Sequence, residues 1–220
     1  MFESDVFERT GSDTISSSMY NLVLGGVLAW GFALNYLMIQ MIPAASLNAI
    51  NPILFLIGYF VCALVGTLMV SGSQNPVVSF IGYNLIVIPI GCVLIVILPG
   101  YSQAIIAQAI QTTAILTVTM MALGTVFPKF FMGLGRALFW SLLACIVIEL
   151  IQMLVFKVKM GFMDWIVAFI FCLYIGFDWA RANSIPKTVD NAIDSAAALY
   201  LDIINLFVRL LQIIKALADD

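Results

Sequence analysis

The chain carries no charged side chain between Asp13 and Lys129, a stretch of more than half its length. Overall it is 63% hydrophobic and 10% charged, with a mean hydropathy of +1.12. Soluble domains are about 45–50% apolar and about 25% charged, because their surface must meet water. A surface that meets lipid has no such need, so the sequence predicts an integral membrane protein.

Seven apolar runs are long enough to cross a bilayer, which takes roughly 20 residues for a hydrocarbon core of about 30 Å. Short connections separate them, and such connections favour an up-and-down bundle of antiparallel neighbours. We therefore predict an all-α fold with seven transmembrane helices in one domain, residues 19–220, after a short polar N-terminal tail, residues 1–18. The predicted spans are 19–41, 51–70, 77–98, 103–127, 134–156, 163–179 and 192–217.

The last run is the most polar of the seven and therefore suits lipid contact least. It contains Asp194, Asp202, Asn205, Arg209 and Gln212. Two topologies remain open: a central helix that the other six shield, or a re-entrant half-crossing. We favour the central helix, because the run is long enough to span and contains no Gly or Pro.

Basic residues in the short connections orient the bundle, since cytoplasmic loops collect them. The far side of the membrane receives Lys157, Lys159 and Lys215, whereas the side of the N-terminal tail receives Arg9, Lys129, Arg136, Arg181 and Lys187. This bias predicts a cytoplasmic N-terminus and, after seven crossings, a C-terminus on the opposite side.

Several functional classes find no support in the sequence. The chain has no basic stripe interleaved with aromatic residues, which argues against nucleic-acid binding. Its four cysteines all lie within apolar runs and it has no histidine, so we assign neither a disulfide nor a cysteine or histidine metal centre. No nucleophile–base set or phosphate-binding loop is present. We predict no enzymatic activity and no cofactor.

Two acids, Asp178 and Asp202, lie within the last two apolar runs. A carboxylate inside a membrane helix costs about 3 kcal/mol, so it is rarely retained without a function. If the two meet in a dry site, they cannot both be charged cheaply, and the pair will share a proton or bind a cation. Because Asp202 lies about 15 Å into its helix, contact requires a late start of that helix or a tilt of its neighbour. The alternative for Asp178 is a local pair with Arg181.

A polar stripe follows one face of the last helix, because Asp202, Asn205, Arg209 and Gln212 are spaced three, four and three residues apart. We expect this stripe to face protein or a water-filled space. A simpler role for Asn205 and Gln212 is hydrogen bonding between helices. Glu149, in the fifth run, is predicted to be a third buried acid that is uncharged or paired with Arg209.

Glycines in two of the predicted spans suggest places where helices approach closely, because a missing side chain lets two backbones come together. Gly25 and Gly26 lie in the first span, and Gly82 and Gly91 lie in the third. We predict close helix packing at these four positions.

A pair of motifs near the C-terminus carries a family resemblance. Ile175-Gly176-Phe177-Asp178 is followed by Tyr200-Leu201-Asp202-Ile203-Ile204-Asn205-Leu206-Phe207, a hydrophobic end and the acidic Asp219-Asp220. This arrangement resembles the Bax inhibitor-1 family, or transmembrane Bax-inhibitor-motif proteins, which has bacterial members. The pattern of seven runs fits the resemblance over the whole length, although the specific motifs are confined to the last two spans.

The resemblance implies six helices wrapped around a central C-terminal helix. It further implies a pH-sensitive leak of calcium that two aspartates control, here Asp178 and Asp202, with transient calcium contact at both. Some relatives carry acids in the second or fourth helix, whereas those helices are uncharged here and Glu149 is an addition. A bacterial cell membrane is the expected location.

Two functional hypotheses follow. The first is a pH-gated cation leak, with calcium as the cation, in which Glu149, Asn205, Arg209 and Arg181 line the path or support the aspartate pair. The second is a non-conducting interaction or stress-response protein that binds other membrane proteins and whose buried acids fix helix packing. Membrane lipid is a partner under both hypotheses.

Overall fold

The computed structural model describes residues 14–157 and 161–219. Most of the predicted polar tail therefore lies outside the described residues, as do Lys159 and Asp220. The described part of the chain is helical and contains no strand. Its nine α-helices are α1 Ser17–Met41, α2 Ala44–Asn48, α3 Pro52–Gly72, α4 Pro76–Ile97, α5 Gln103–Val126, α6 Pro128–Gly133, α7 Gly135–Ile151, α8 Phe162–Ser184 and α9 Val189–Asp219.

Seven of these helices are long and apolar enough to cross a membrane, which confirms the predicted all-α multi-pass fold. Helices α2 and α6 are short connecting helices. A 3₁₀ turn, Leu98–Gly100, extends α4, and a π-helical turn, Gln152–Phe156, extends α7. Side chains exposed on the spans are mainly large and apolar, as a lipid-facing surface requires, and include Leu22, Phe60, Leu64, Val118 and Leu154.

Helix α9 is one continuous helix of 31 residues, or about 46 Å, which is enough for a full crossing rather than a half-crossing. It is also the most buried of the seven spans. In its 18-residue apolar segment 67% of the residues are buried, against 56% in α8 and at most 39% in the other spans. Burial on this scale explains how the helix can carry so many polar residues without presenting them to lipid.

The helices start where the local sequence supplies caps. Asn51 accepts a hydrogen bond from the backbone N–H of Ile53 at 2.9 Å, and Asn75 accepts one from Val77 at 2.9 Å. Both caps precede a proline at the first helical position, where the missing N–H costs nothing. Ser16 caps α1 in the same way, with its hydroxyl oxygen 3.2 Å from the Met19 nitrogen.

The helices form two compact units. Unit 1 contains residues 14–100 and Ile185–Tyr200, and unit 2 contains Tyr101–Ser184 and residues 201–219. The first part of α9 therefore belongs to unit 1 and the remainder to unit 2.

Unit 1 is held together by close contacts of α4 with α3 and α1. A Cβ atom added to Gly82 would lie 2.8 Å from the carbonyl oxygen of Gly66, so these two backbones touch. Gly91 packs against Asn35. The prediction of close packing is right for Gly82 and Gly91 but wrong for Gly25 and Gly26, which have nothing within 4 Å of an added Cβ.

Three tyrosines fill the core of unit 1, where Tyr20, Tyr83 and Tyr200 are fully buried. The Tyr200 hydroxyl accepts a hydrogen bond from the Asn35 side-chain amide, and the Tyr20 hydroxyl lies 2.9 Å from Ser195 Oγ. Buried phenol groups need such partners, because a polar group left unpaired in the interior costs free energy.

Unit 2 is built around α8. A Cβ atom added to Gly124 of α5 would lie 2.6 Å from the Gly176 carbonyl oxygen, and Gly176 packs in turn against Phe131. One turn along this interface, Trp179 donates a hydrogen bond from Nε1 to Thr125 Oγ1 at 2.8 Å. These contacts fix α8 against α5 and α6 and so position the acid that α8 carries.

Candidate functional site

The two acids singled out in the sequence, Asp178 of α8 and Asp202 of α9, meet inside unit 2. Both residues are buried, with 8% and 6% of their surface exposed. Their carboxyl groups lie near enough to interact with each other. The structure therefore forms the carboxyl pair that the sequence only made conceivable.

A hydrogen bond between two carboxyl groups requires a proton on one of them, because an ionised carboxylate only accepts. Asp202 Oδ2 is buried and has no hydrogen-bond donor within reach among the described residues. Two neighbouring buried carboxyl groups can share one proton, and such a pair titrates as a unit.

Arg181 makes the dyad asymmetric. Its Nη1 lies 3.3 Å from Asp178 Oδ1, so the local ion pair considered as an alternative role for Asp178 is present beside the dyad. The guanidinium stabilises negative charge on Asp178, which leaves Asp202 as the better position for the shared proton. Tyr174, one turn before Asp178 on α8, lies near enough to interact electrostatically with both acids.

The contact between the two acids depends on the connection between their helices. Asp178 lies six residues before the end of α8, whereas Asp202 lies thirteen residues after the start of α9. A tight turn would leave the acids out of register by about 10 Å along the helix axes. The non-helical Ile185–Thr188 link can span about 13 Å, which accommodates that offset.

A second charged cluster lies further along α9 and joins three helices of unit 2. Arg209 donates from Nη1 to Glu149 Oε1 at 2.6 Å and from Nη2 to Glu149 Oε2 at 2.8 Å. The same Nη1 donates to Asp164 Oδ1 at 2.7 Å. The sequence suggested a Glu149–Arg209 pair, but Glu149 is only partly buried, with 29% of its side chain exposed.

Asp164 was missed by the sequence analysis. It lies in the first turn of α8, where an acid is expected simply to stabilise the helix N-terminus near the membrane surface. Its side chain is only 6% exposed and contacts Arg209 Nη1, which also contacts Glu149. This contact depends on how α8 packs against α9. No local pattern in the sequence indicates that contact.

Asn205 differs from Asp202 within the predicted polar stripe. It is exposed, and its amide donates to the Leu201 carbonyl of its own helix at 2.7 Å. Gln212 is only half-buried. Asp202 is therefore the buried member of the predicted stripe, Arg209 and Gln212 are half-buried, and Asn205 satisfies its amide within its own helix.

The cation-binding capacity of the dyad rests on few ligands. Among the described residues there is no group of three or more His, Cys, Asp or Glu side chains that could hold a metal ion. Calcium takes about 6–8 oxygen ligands, so a cation at Asp178 and Asp202 would keep much of its water. The arrangement suits transient contact rather than tight storage.

These features define a multi-pass α-helical membrane protein with a buried carboxyl dyad between its last two helices. A family model described as inhibitor of apoptosis-promoting Bax1 matches residues 13–219. The chain therefore belongs to the Bax inhibitor-1 family, as its C-terminal motifs indicated.

Individual relatives match parts of the chain. Protein LIFEGUARD 3 of Arabidopsis thaliana is 42% identical over 87 residues, which are 38% of this chain and 34% of the relative. An uncharacterised protein of Helicobacter pylori is 34% identical over 91 residues, 40% of this chain and 37% of the relative. An uncharacterised membrane protein of Streptococcus pyogenes is 29% identical over 133 residues, 56% of this chain and 57% of the relative. The matches thus span between about a third and somewhat over half of the curated relatives.

Proposed function

We propose that the protein is a pH-sensitive cation leak of the bacterial cell membrane, with calcium as its cation, and that the Asp178–Asp202 dyad gates it. The observation that carries the proposal is the proximity of two buried carboxyl groups, which lie on consecutive membrane helices and interact with each other. Membership of the Bax inhibitor-1 family supports the same reading.

The cost of burial argues for a role beyond packing. An amide or hydroxyl could join α8 to α9 without the cost of an ionisable group in the membrane, which is about 3 kcal/mol for each acid on insertion scales. Membrane helices gain only about 0.6 kcal/mol on average from a polar contact. Two contacting acids are therefore an expensive way to hold two helices together, and their ability to exchange protons or cations explains their presence better.

The dyad has three protonation states with different consequences for the two helices. With one shared proton, a hydrogen bond joins α8 to α9 and Arg181 balances the remaining charge. A second proton, gained on acidification, neutralises both acids, removes the ion pair to Arg181 and weakens the constraint on α8. Loss of the shared proton places two like charges in contact, which attracts a cation or separates the helices.

Calcium flux into liposomes tests this proposal. The full chain is reconstituted with a calcium indicator inside, and flux is measured against external pH for the wild type, Asp178→Asn and Asp202→Asn. We expect pH-dependent flux in the wild type and a loss of that pH dependence in both variants. Flux that is absent from the wild type, or unchanged by both substitutions, would refute the proposal.

The exposed Asn205 supplies a matched control, because it lies on the same helix and its amide donates to the Leu201 carbonyl of that helix. Asn205→Ala should leave the pH profile of flux unchanged. A pH profile that shifts equally for Asn205→Ala and Asp202→Asn would show that any change in this part of α9 disturbs flux, and the gating role of the dyad would have no support.

A further inference from the structure

Helix α5 presents two glutamines, Gln108 and Gln111, on the face that points away from the rest of the chain. Both side chains are exposed. The buried residues of α5 form one side of the helix and are Ala109, Thr113, Thr117 and Gly124. At about 100° per residue, both glutamines lie within about 40° of the direction opposite to that side. They therefore occupy the face of α5 that meets the membrane.

Both glutamines lie well inside the membrane span. The span Gln103–Val126 has 24 residues, so it is about 36 Å long, and it exceeds a hydrocarbon core of about 30 Å by about 3 Å at each end. With the span centred in the bilayer, Gln108 lies about 5 Å and Gln111 about 9 Å inside the core. Both amides are thus at the depth of the lipid tails.

The two amides need a polar partner that the described part of the chain does not supply. Neither Gln108 nor Gln111 forms a hydrogen bond with another described residue. In contrast, the exposed Thr119 of the same helix donates to the Ile115 carbonyl at 2.8 Å. A primary amide carries two donors and an acceptor oxygen, and lipid tails pair with none of them. Leaving such a group in hydrocarbon costs free energy.

The residues around the glutamines have the spacing and the size of a helix–helix contact. An exposed seam, in which the residues are alternately four and three positions apart, contains Ala104, Gln108, Gln111, Ile115, Val118 and Ala122. This is the repeat of helices that pack side by side at about 20°. The exposed Ala107 and Ala114 flank Gln111, and small side chains let two helices approach closely. We call these six residues the glutamine seam.

We propose that the glutamine seam of α5 binds the same seam of a second copy of this chain, so that the protein forms a parallel dimer in the membrane. Two copies inserted with the same orientation can be related by a two-fold axis along the membrane normal, and residues near that axis meet their own counterparts. An amide is self-complementary, because its nitrogen donates while its oxygen accepts. Each glutamine therefore finds its partner at its own depth.

The alternative occupants of this face fit it less well. Lipid tails offer no hydrogen bond, and lipid headgroups lie beyond the hydrocarbon core, about 9 Å from Gln111 along the axis. A different membrane protein would need polar groups at the same two depths as Gln108 and Gln111. A second copy of the chain has them by symmetry.

Förster resonance energy transfer between labelled copies in liposomes tests the dimer. Full chains that carry a donor or an acceptor dye at the N-terminus are mixed and reconstituted over a wide range of protein-to-lipid ratios. We expect transfer that falls on dilution, with a midpoint that Gln108→Leu combined with Gln111→Leu moves to an at least about tenfold higher ratio. Leucine suits lipid, so the variant keeps its fold without the partner. A wild type without transfer at any ratio, or a midpoint that the double substitution leaves unchanged, would overturn the inference.

Two further variants assign the effect to the amides. Thr119→Val removes an exposed polar group whose hydroxyl already bonds to its own helix, and it should leave the midpoint unchanged. Gln111→Asn keeps an amide and should retain more dimer than Gln111→Leu. If Thr119→Val weakens the dimer as much as the leucine variants, or if asparagine is no better than leucine, pairing of the amides is refuted.

Photo-crosslinking locates the contact. A photoreactive amino acid in place of Ala114 should yield a covalent dimer of the full chain in native membranes. The same group in place of Leu64, which is exposed on α3, should not. A covalent dimer from position 64 and none from position 114 would show that copies meet through another face, and the seam would be wrong.

A water-filled space beside α5 is the outcome that would replace the dimer. Gln111→Cys reports it, because a thiol within a helix contact or in lipid is shielded from a charged maleimide that cannot cross the membrane, whereas a thiol in water reacts. Rapid labelling above that of the wild type would refute the inference. None of these measurements records ion flux, so the dimer and the proposed leak stand or fall separately.

Discussion

Asp178 and Asp202 lie on different membrane helices, and their buried carboxyl groups are near enough to interact with each other. Asparagine has the shape of aspartic acid and can still hydrogen bond, but it cannot ionise. Substitution of either aspartate by asparagine therefore distinguishes a packing role of the acids from a role in proton exchange.

Asp202→Asn should change the pH profile of flux while it leaves the melting temperature within about 3 °C of the wild type, which corresponds to about 1 kcal/mol for a chain of this size. The reason is that an Asn amide can donate the hydrogen bond that a shared proton would provide in the proposed dyad. Differential scanning fluorimetry in detergent, run beside the liposome assay, measures both quantities. A large loss of stability with an unchanged pH profile would favour the packing role and the non-conducting alternative.

Gly124→Ala should destabilise unit 2 by about 2 kcal/mol, because the new methyl group would overlap a backbone oxygen that cannot move without shifting α8. An added Cβ would lie 2.6 Å from the Gly176 carbonyl oxygen. Thermal melting of the purified variant checks the prediction. Gly58→Ala is the matched control, since nothing lies within 4 Å of its Cβ position, and it should be neutral or slightly stabilising. Equal effects of the two substitutions would show that the α5–α8 contact is not tight.

Tyr200→Phe should cost about 1–3 kcal/mol, because it leaves the amide of Asn35 buried without its acceptor. Asn35 is 3% exposed and Tyr200 is fully buried. The double variant Asn35→Leu and Tyr200→Phe should recover part of the loss, since it removes the stranded polar group along with its partner. Melting temperatures of the two single variants and the double variant complete the cycle, with Tyr36→Phe on the exposed face of α1 as the control. Additive losses in the double variant would argue that the two side chains do not interact.

We predict that Lys187 makes the free energy of unfolding depend on pH in the alkaline range. Burial lowers the pKa of its ammonium group, so the folded chain releases this proton at a lower pH than the unfolded chain, whose lysines titrate near 10.4. The unfolded state then binds more protons in the window just below pH 10.4, and the free energy of unfolding should rise with pH there. Lys187→Met should flatten that rise in melting experiments, whereas substitution of the exposed Lys129 should not. A steeper rise in Lys187→Met would show that the sign is wrong.

The membrane class, the seven spans and the presence of two acids, Asp178 and Asp202, within the last two spans could be predicted from the amino-acid sequence. All three depend on properties that act locally: a run of about 20 apolar residues must cross the bilayer, and an acid within such a run carries its cost wherever its neighbours lie. The caps at Asn51 and Asn75 are equally local. The motifs around Asp178 and Asp202 indicated the Bax inhibitor-1 family, and the family model confirms it.

The contacts between helices could not be predicted in this way. Asp164 reaches Arg209, Asn205 turns outward, and Gly25 and Gly26 face open space while Gly124 touches another backbone, although the composition around these residues is similar. Each outcome depends on the rotation and axial offset of one helix against another, and side-chain packing over the whole interface sets both. Hydropathy could place two acids in the membrane, but the register between α8 and α9 makes them a dyad.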